Sequence, residues 1–205
     1  MRKEWTGAKR LVIKIGSSLL VDKGGLKHAW LDALGADVER AVPALAEMRA
    51  AKGRGERREI AVPGGSILLI DESYNANPAS MRSALAAMAA VPRTRYSRRI
   101  AVLGDMLELG ENGPALHVAL NDPVDAAEVD LVFACGRNMQ RLFEALPARR
   151  RGAWAAQSAG IAEALAQSVR AGDVVMVKGS LGSRMAPLVE ALIAKGEQQH
   201  AQAPG

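Results

Sequence analysis

A polar run at residues 71–77 follows the apolar residues 66–70 and precedes an alanine-rich segment with helical spacing. Its side chains that could contact a ligand are two acids, a phenol and two amides: Asp71, Glu72, Tyr74, Asn75 and Asn77. In open α/β sheets, ligands bind outside the carboxyl ends of the strands. Asn77 followed by Pro78 is also typical of a helix N-cap with proline at N1. The run therefore predicts either one wall of a ligand site or a polar capping loop.

Two acids follow a second apolar run, at residues 100–103. These are Asp105 and Glu108, and Gly104 before them would let a ligand approach the backbone closely. Such acids could orient an amine, bind a metal together with a phosphate, or cap a helix. The residue types alone leave the three roles open.

A third polar run, at residues 179–184, joins an apolar strand to a helical segment through two glycines and two serines. Backbone amides at a helix N-terminus, with Lys178 and Arg184 nearby, predict an anion site. The run lacks the G-x-x-x-x-G-K-S/T spacing of a P-loop. A carboxylate or a single phosphate is therefore a better candidate ligand than a triphosphate.

Lys14 interrupts the apolar residues 11–21 and is followed by Gly16 and Ser17. A lysine beside glycine amides could hold a phosphate. It could also be an edge-strand lysine that blocks aggregation, and the residues alone favour this second interpretation.

The histidines and the one cysteine do not predict a metal or nucleophile site. The three histidines have neither zinc-ligand spacing nor a visible Ser-His-Asp arrangement, and His117 between apolar neighbours is predicted to be packed. Cys135 lies in an apolar run, which favours a core position, and a lone cysteine excludes an internal disulfide.

The segments that must position these residues alternate between strand and helix patterns. A hairpin is predicted at 58–62 and 66–70, around Pro63-Gly64-Gly65. Further strands are predicted at 100–105, 130–136, 151–156 and 173–178, with helices at 79–90, 113–120, 158–170 and 185–195. This alternation predicts an α/β fold with a mostly parallel sheet and helices on both faces.

The composition is that of an ordinary globular protein, with 205 residues, 49% apolar residues and a formal net charge of +5. The arginines are dispersed and not interleaved with aromatic residues, so no nucleic-acid partner is predicted. No apolar run approaches the roughly 18 residues of a membrane span, so no membrane partner is predicted and a cytoplasmic location is expected.

From residue 33 to 195, the chain resembles the carboxyl-terminal domain of the Mur ligases, above all the type that adds D-alanyl-D-alanine to UDP-N-acetylmuramoyl-tripeptide. The motifs that carry the resemblance are K-G-R-G-E-R (52–57), I-D-E-S-Y-N-A-N-P-A-S-M (70–81), A-V-L-G-D-M-L-E-L-G (101–110), A-L-H (115–117) and V-M-V-K-G-S-L-G-S-R-M (175–185). The resemblance implies a Rossmann-like domain of an enzyme that forms an amide. In that family ATP phosphorylates a substrate carboxylate, and an amine attacks the acyl phosphate.

The resemblance also implies a nucleotide-binding wall. Arg54 would contact the nucleotide, and Glu72 with Asp71 beside it would hold the ribose hydroxyls. The nucleotide side of the cleft would be lined by Tyr74, Asn75 and Asn77.

For the amine substrate, the resemblance implies that Ser180, Gly179 and Arg184 receive the carboxylate of D-alanyl-D-alanine. Asp105 and Glu108, the candidate catalytic residues, would lie near its amine. The phosphate loop and the magnesium ligands belong to the family's central domain, and their motifs are not in this sequence. We therefore expect no metal site in this chain and no ligase activity from the chain alone.

Residues 11–21 resemble the opening strand and glycine turn of glutamate 5-kinase, whose lysine and glycine contact ATP phosphates. The corresponding positions here are Lys14 and Gly16. The predicted division is a kinase-like strand-helix extension at 1–32, the Mur ligase domain at 33–196 and a disordered tail at 197–205. The alternative functions are a fragment related to amino-acid kinases and a non-catalytic module that binds a nucleotide or dipeptide.

Overall fold

The computed structural model describes residues 21–22, 25–45 and 52–202. Lys14 and Gly16 lie outside the described residues, so their role stays a prediction. The chain divides into two compact units, residues 1–49 and 50–205. In the first, β1 (Val21–Asp22) pairs antiparallel with β2 (Gly25–Leu26), and α1 (His28–Leu45) follows. The predicted boundary between residues 32 and 33 lies inside α1.

The second unit alternates strands and helices. Its strands are β3 (Glu56–Val62), β4 (Gly65–Glu72), β5 (Arg98–Gly104), β6 (Leu131–Cys135), β7 (Arg151–Ala155) and β8 (Asp173–Lys178). Its α-helices are α2 (Pro78–Ala89), α3 (Gly113–Val118), α4 (Asn121–Ala126), α5 (Arg137–Ala145), α6 (Ala162–Ser168) and α7 (Ala186–Gln202). Short 3-10 turns lie at Gly110–Asn112, Ala148–Arg150, Ser158–Ile161 and Leu181–Ser183.

The strands form one six-stranded sheet in the order β3-β4-β8-β5-β6-β7. The five strands from β4 to β7 in that order are mutually parallel, and β3 pairs antiparallel with β4 as the predicted hairpin. The predicted fold class, a mostly parallel α/β sheet, is therefore confirmed.

Apolar residues alternate between the two faces of the central strands, and helices cover both faces. In β5, Ala101 and Leu103 join the core beneath α2, α4 and α5, whereas Ile100 and Val102 join the core beneath α6 and α7. All four are completely buried. A strand buried on both faces must be apolar at every position, which is the pattern that made these strands predictable.

The last helix is longer than predicted: α7 continues to Gln202, so the predicted tail at 197–205 begins inside it. The sequence prediction ended the helix at Lys195 and assigned the polar residues after Gly196 to a tail. Here Gly196 lies within the helix against β3, and a Cβ added to it would lie 2.3 Å from Ile60 Cγ2. The glycine therefore permits close helix-to-strand packing. None of the helices in the described ranges is long and apolar enough to cross a bilayer.

Candidate functional site

The strand order brings the three predicted polar runs to one edge of the sheet. β4, β8 and β5 are neighbours and parallel, so the runs that follow Glu72, Lys178 and Gly104 leave the sheet side by side. Position outside the carboxyl ends of parallel strands is where α/β domains bind ligands.

The glycine-rich turn that contains Arg54 is docked on the first run by Asp71. One oxygen of the Asp71 carboxylate accepts a hydrogen bond from the Gly53 amide at 3.1 Å, and the other accepts from the Ser73 amide at 3.0 Å. The Tyr74 amide donates back to the Gly53 carbonyl at 3.1 Å. Asp71 is only 4% exposed. Its carboxylate therefore positions the turn, and the residues left accessible beside it are Arg54, Glu72 and Tyr74.

These three residues form a rim, here called the Tyr74 shelf, in which Arg54 and Tyr74 are exposed and Glu72 is half-buried. The Arg54 guanidinium lies over the Tyr74 ring, 4.2 Å from its centroid, and Tyr74 is 45% exposed. Glu72 lies close to the same turn, since a Cβ added to Gly55 would be 3.1 Å from its Oε1. The shelf thus combines a flat aromatic face, a cation and a carboxylate that could accept hydroxyl hydrogen bonds.

Lys178 does not take part in the anion site that the sequence predicted for it. Its side chain is buried, and its Nζ donates to Glu72 Oε2 at 3.3 Å and to the Asn75 carbonyl at 2.9 Å. A buried ammonium is tolerated when a carboxylate and hydrogen bonds compensate it. Lys178 therefore holds Glu72 in place at the edge of the shelf.

The two asparagines of the first run have backbone partners. Asn77 Oδ1 accepts from the Ser80 amide at 2.8 Å, and the Asn77 amide donates to Ser80 Oγ at 3.0 Å, which completes a capping box at the start of α2. The predicted N-cap is confirmed. Asn75 Oδ1 accepts from the Ala76 amide at 2.8 Å.

Asp105 follows β5 in the chain, and its carboxylate lies against the N-terminus of α5. Its Oδ1 accepts from the Met139 amide at 2.7 Å, and its Oδ2 from the Asn138 amide at 3.4 Å. Gly136, with a φ of +106°, makes room for it, because an added Cβ would lie 2.3 Å from Asp105 Cγ. A carboxylate is stabilised at a helix N-terminus by the free amides and the helix dipole. The side chain is 13% exposed, and it reaches the solvent through a neighbouring cavity.

His117 is packed, as predicted, and is completely buried. Its Nδ1–H donates to the Gly113 carbonyl at 2.6 Å, and its Nε2 accepts from the Met106 amide at 2.9 Å. The same Nε2 is 3.7 Å from Asp105 Oδ1. His117 thereby fixes the start of the Asp105 loop against α3.

Ser180 links the three loops. Its Oγ accepts from the Leu107 amide at 2.9 Å and donates to the Ala76 carbonyl at 3.3 Å, and its own amide donates to the Asp105 carbonyl at 3.1 Å. The residue is 7% exposed. Gly179 is equally enclosed, since an added Cβ would lie 2.6 Å from Met185 Cγ. Ser180 and Gly179 are therefore buried residues that connect the loops of the site. Of the three residues predicted to bind the dipeptide carboxylate, Arg184 is the exposed one.

Beyond β5, β6 and β7 the edge opens into a cavity of about 960 Å³, here called the edge cavity. Its walls contain one acid, two arginines and several small residues: Asp105, Leu107, Cys135, Gly136, Arg137, Asn138, Ala156, Gln157, Ser158, Ala159, Ala162, Gly182, Ser183, Arg184, Pro187 and Leu188. Ser158 Oγ donates to the Arg184 carbonyl at 2.7 Å and ties two of the walls together. Glu108 is not in this lining; it is exposed, with a φ of +62°.

Sequence reasoning missed Arg137 and the loop after β7. The signal was present, because Gly136-Arg137-Asn138 also follows a buried strand. The other three runs were identified as polar residues directly after an apolar strand, and residues 136–138 meet the same criterion.

Cys135 lies on the cavity wall but is 1% exposed, with its Sγ 3.2 Å from Met185 Sδ. Burial, with a smaller contribution from the nearby Asp105 charge, raises the pKa of this thiol to about 12. A protonated thiol is a poor nucleophile, so its role as a core residue agrees with the prediction. Within the part of the chain that the structure describes, no group of three or more His, Cys, Asp or Glu residues could hold a metal ion.

The chain is similar in sequence to a known protein family. Residues 53–181 match the model of the family described as Mur ligase, glutamate ligase domain. The UDP-N-acetylmuramoyl-tripeptide–D-alanyl-D-alanine ligase of Escherichia coli is 31% identical over 165 residues, which cover 80% of this chain and 34% of that protein. The Bacillus subtilis ligase of the same name is 27% identical over 180 residues, covering 82% and 38%.

Solved structures agree. The Thermotoga maritima MurF ligase in complex with ADP superposes with a TM-score of 0.63 at 26% identity, covering 77% of this chain and 34% of that one. An Acinetobacter baumannii MurF structure gives 0.64 at 26% identity, covering 82% and 36%. The chain thus spans little more than a third of the length of these relatives. The comparisons give no support to the resemblance of residues 11–21 to glutamate 5-kinase. The matched family model, the sheet order and the motif positions together show that this chain belongs to the Mur ligases, through their glutamate ligase domain.

Proposed function

We propose that this chain forms the half of a peptidoglycan-precursor ligase site that binds the incoming D-alanyl-D-alanine and the ribose side of ATP. The observation that carries the proposal is the pair of features at one sheet edge. The Tyr74 shelf offers an aromatic face, a cation and a carboxylate, and the edge cavity offers an acid and two arginines among small residues. The relatives are named as D-alanyl-D-alanine ligases, and this name supplies the substrate.

On the shelf, Glu72 accepts hydrogen bonds from ribose hydroxyls while Arg54 lies near the nucleotide phosphates. Lys178 keeps the Glu72 carboxylate oriented, because it donates to Oε2 from a buried position. Tyr74, Asn75 and Asn77 complete this wall, the asparagines mainly by holding the loop and the start of α2. Asp71 positions the turn that presents Arg54.

In the edge cavity, Asp105 attracts the ammonium of the dipeptide and orients the amine that forms when this ammonium releases one proton to the solvent. The acceptor is the carboxyl group of UDP-N-acetylmuramoyl-tripeptide, activated as an acyl phosphate. The amine nitrogen forms a bond to the acyl carbon, phosphate leaves with the electrons of the C–O bond, and the departing phosphate takes the second proton from the nitrogen. Holding the two reactants together replaces a bimolecular encounter and contributes several kcal/mol. Glu108, exposed on the same loop, attracts the ammonium at longer range.

The 205-residue sequence contains no G-x-x-x-x-G-K-S/T phosphate loop, so the magnesium and the ATP phosphates must be held by other protein sequence. We therefore expect this chain alone to bind its two ligands weakly and to catalyse no ligation.

Calorimetric titration tests the proposal. D-alanyl-D-alanine and ATP are each titrated into the chain, with L-alanyl-L-alanine as the stereochemical control. The expected result is saturable binding of both ligands and weaker binding of the L,L-dipeptide. Binding of neither ligand would contradict the proposal. Binding with equal affinity for both dipeptides would instead favour a general peptide-binding module.

A further inference from the structure

Ser180 is hydrogen-bonded to both of the polar loops that flank its own. β8 lies between β4 and β5 in the sheet, so the loop after β8 separates the loop of the Tyr74 shelf from the loop of Asp105. On the shelf side, Ser180 Oγ donates to the Ala76 carbonyl at 3.3 Å. On the other side, it accepts from the Leu107 amide at 2.9 Å. One hydroxyl thus connects the loops that carry two different candidate ligand sites.

The two hydrogen bonds of this hydroxyl depend on each other. A serine hydroxyl has a single proton, so once that proton is directed to the Ala76 carbonyl only the oxygen lone pairs remain for the Leu107 amide. Consecutive hydrogen bonds in a buried chain polarise and strengthen one another. Ser180 is only 7% exposed, so its partners are protein groups and not bulk water. Order in one loop therefore strengthens the contact to the other.

Further hydrogen bonds attach the loop after β8 to the same two neighbours. On the shelf side, Lys178 Nζ donates to the Asn75 carbonyl at 2.9 Å. On the other side, the Asp105 carbonyl accepts from the Ser180 amide at 3.1 Å and from Ser183 Oγ at 2.9 Å. A displacement of either neighbouring loop would therefore be felt by the other through the loop that contains Ser180.

We propose that Ser180 couples the two ligand sites, so that a nucleotide on the Tyr74 shelf raises the affinity of the edge cavity for the amine substrate. This inference rests on the proposed function, because it needs both ligands to bind this chain. A nucleotide on the shelf restrains the run that contains Ala76, and Ser180 transmits the restraint to Leu107, which lines the edge cavity. The dipeptide then binds to a loop that is already ordered, and its binding costs less conformational entropy. Ser180 is in this sense a positioning residue, which acts through Ala76 and Leu107.

The test is a thermodynamic cycle. Calorimetry measures the affinity for D-alanyl-D-alanine without ATP and with saturating ATP, in the native chain, in Ser180→Ala and in Ser66→Ala. The ratio of the two affinities is the coupling, and by linkage the dipeptide must raise the affinity for ATP by the same factor. Ser66→Ala is the matched control, because it also removes one hydroxyl hydrogen bond, from Ser66 Oγ to Glu59 at 2.7 Å, but lies at the amino end of β4.

In the native chain and in Ser66→Ala, we expect ATP to strengthen dipeptide binding about fivefold or more. In Ser180→Ala the ratio should fall close to one, and a general loss of stability would not by itself change a ratio measured within one folded variant. A native ratio of one, or a ratio that persists in Ser180→Ala, would overturn the inference and leave the proposed function intact. If the native chain fails to bind either ligand, the proposed function fails and the inference fails with it.

Hydrogen exchange in the native chain gives a second readout, which does not depend on the folding of a variant. ATP should slow exchange of the Leu107 amide severalfold, although this amide lies on the opposite side of Ser180 from the shelf. The Ala127 amide, which donates to the Pro123 carbonyl at 3.0 Å, is the reference and should not respond. An unchanged Leu107 amide, or an equal effect on both amides, would contradict the coupling.

Discussion

Lys178 Nζ donates to Glu72 Oε2 across 3.3 Å, and the two residues are also direct partners in the register of β8 and β4. Each is the last residue of its strand. The ion pair therefore joins two of the three polar loops at the point where they leave the sheet. It couples the stability of the sheet edge to the orientation of a candidate ribose-binding carboxylate.

Removing one member of this pair should destabilise the fold. Glu72→Gln leaves a buried ammonium without its counter-charge, and such losses cost about 3–5 kcal/mol of unfolding free energy. Glu72 is partly accessible, and Lys178 would keep its hydrogen bond to the Asn75 carbonyl. We therefore expect a loss of unfolding free energy at the lower end of that range. Urea denaturation measures the change. Glu190→Gln is the control, because it breaks the exposed Lys52–Glu190 pair at 2.9 Å and should cost less than 1 kcal/mol. If both substitutions lower the unfolding free energy equally, the buried ion pair contributes no more to stability than the exposed one.

Gly136→Ala should displace Asp105. The φ of +106° disfavours a side chain, and the added Cβ would lie 2.3 Å from Asp105 Cγ. We expect a loss of more than about 2 kcal/mol of unfolding free energy together with weaker dipeptide binding. Gly110→Ala separates the two causes, because its φ is +60° and an added Cβ would meet nothing within 4 Å. That variant should lose only about 1 kcal/mol and bind normally.

The sequence predicts where the polar loops lie but not which of their side chains face a ligand. Strand ends and their polar residues follow from apolar runs and turn chemistry, so Asp71, Asp105 and Arg184 could be identified from sequence. Whether a polar side chain faces a ligand or its own backbone depends on contacts between residues far apart in the chain. Asp71 to Gly53, and Ser180 to Ala76 and Leu107, are contacts of that kind. Gly196 is a similar case, since its neighbour Ile60 is remote in sequence.

A second group of charges, away from the edge cavity, predicts an acid dependence of stability. The hydrogen bond from Ser66 Oγ at 2.7 Å lowers the pKa of Glu59, with a further contribution from Arg95. A lowered carboxyl pKa adds stability above the unfolded-state pKa of about 4.3, and this is lost as the pH falls through the folded-state pKa. Ser66→Ala should therefore raise the pKa of Glu59, measured by NMR titration. Its destabilisation should be larger at pH 7 than at pH 3. An unchanged Glu59 titration would contradict the assignment.

The size of the edge cavity can be tested at its rim. Ala156 is exposed and lines the cavity, so Ala156→Leu should obstruct it and weaken dipeptide binding severalfold with little change in stability. Ala148→Leu is a control on an exposed 3-10 turn outside the lining. Calorimetry measures both affinities. Should Ala156→Leu bind as the native chain does, the dipeptide does not occupy this cavity.

We expect two different ligands to bind at one edge of this sheet, and residue-resolved NMR titration would detect both. With D-alanyl-D-alanine, we expect shift changes at the amides of Gly136, Arg137 and Arg184. With ATP, we expect changes at Gly53, Arg54 and Tyr74 instead. Two separate sets of changes that meet along the shared edge are the expected result. Changes scattered over the surface, or both ligands perturbing the same residues, would contradict it.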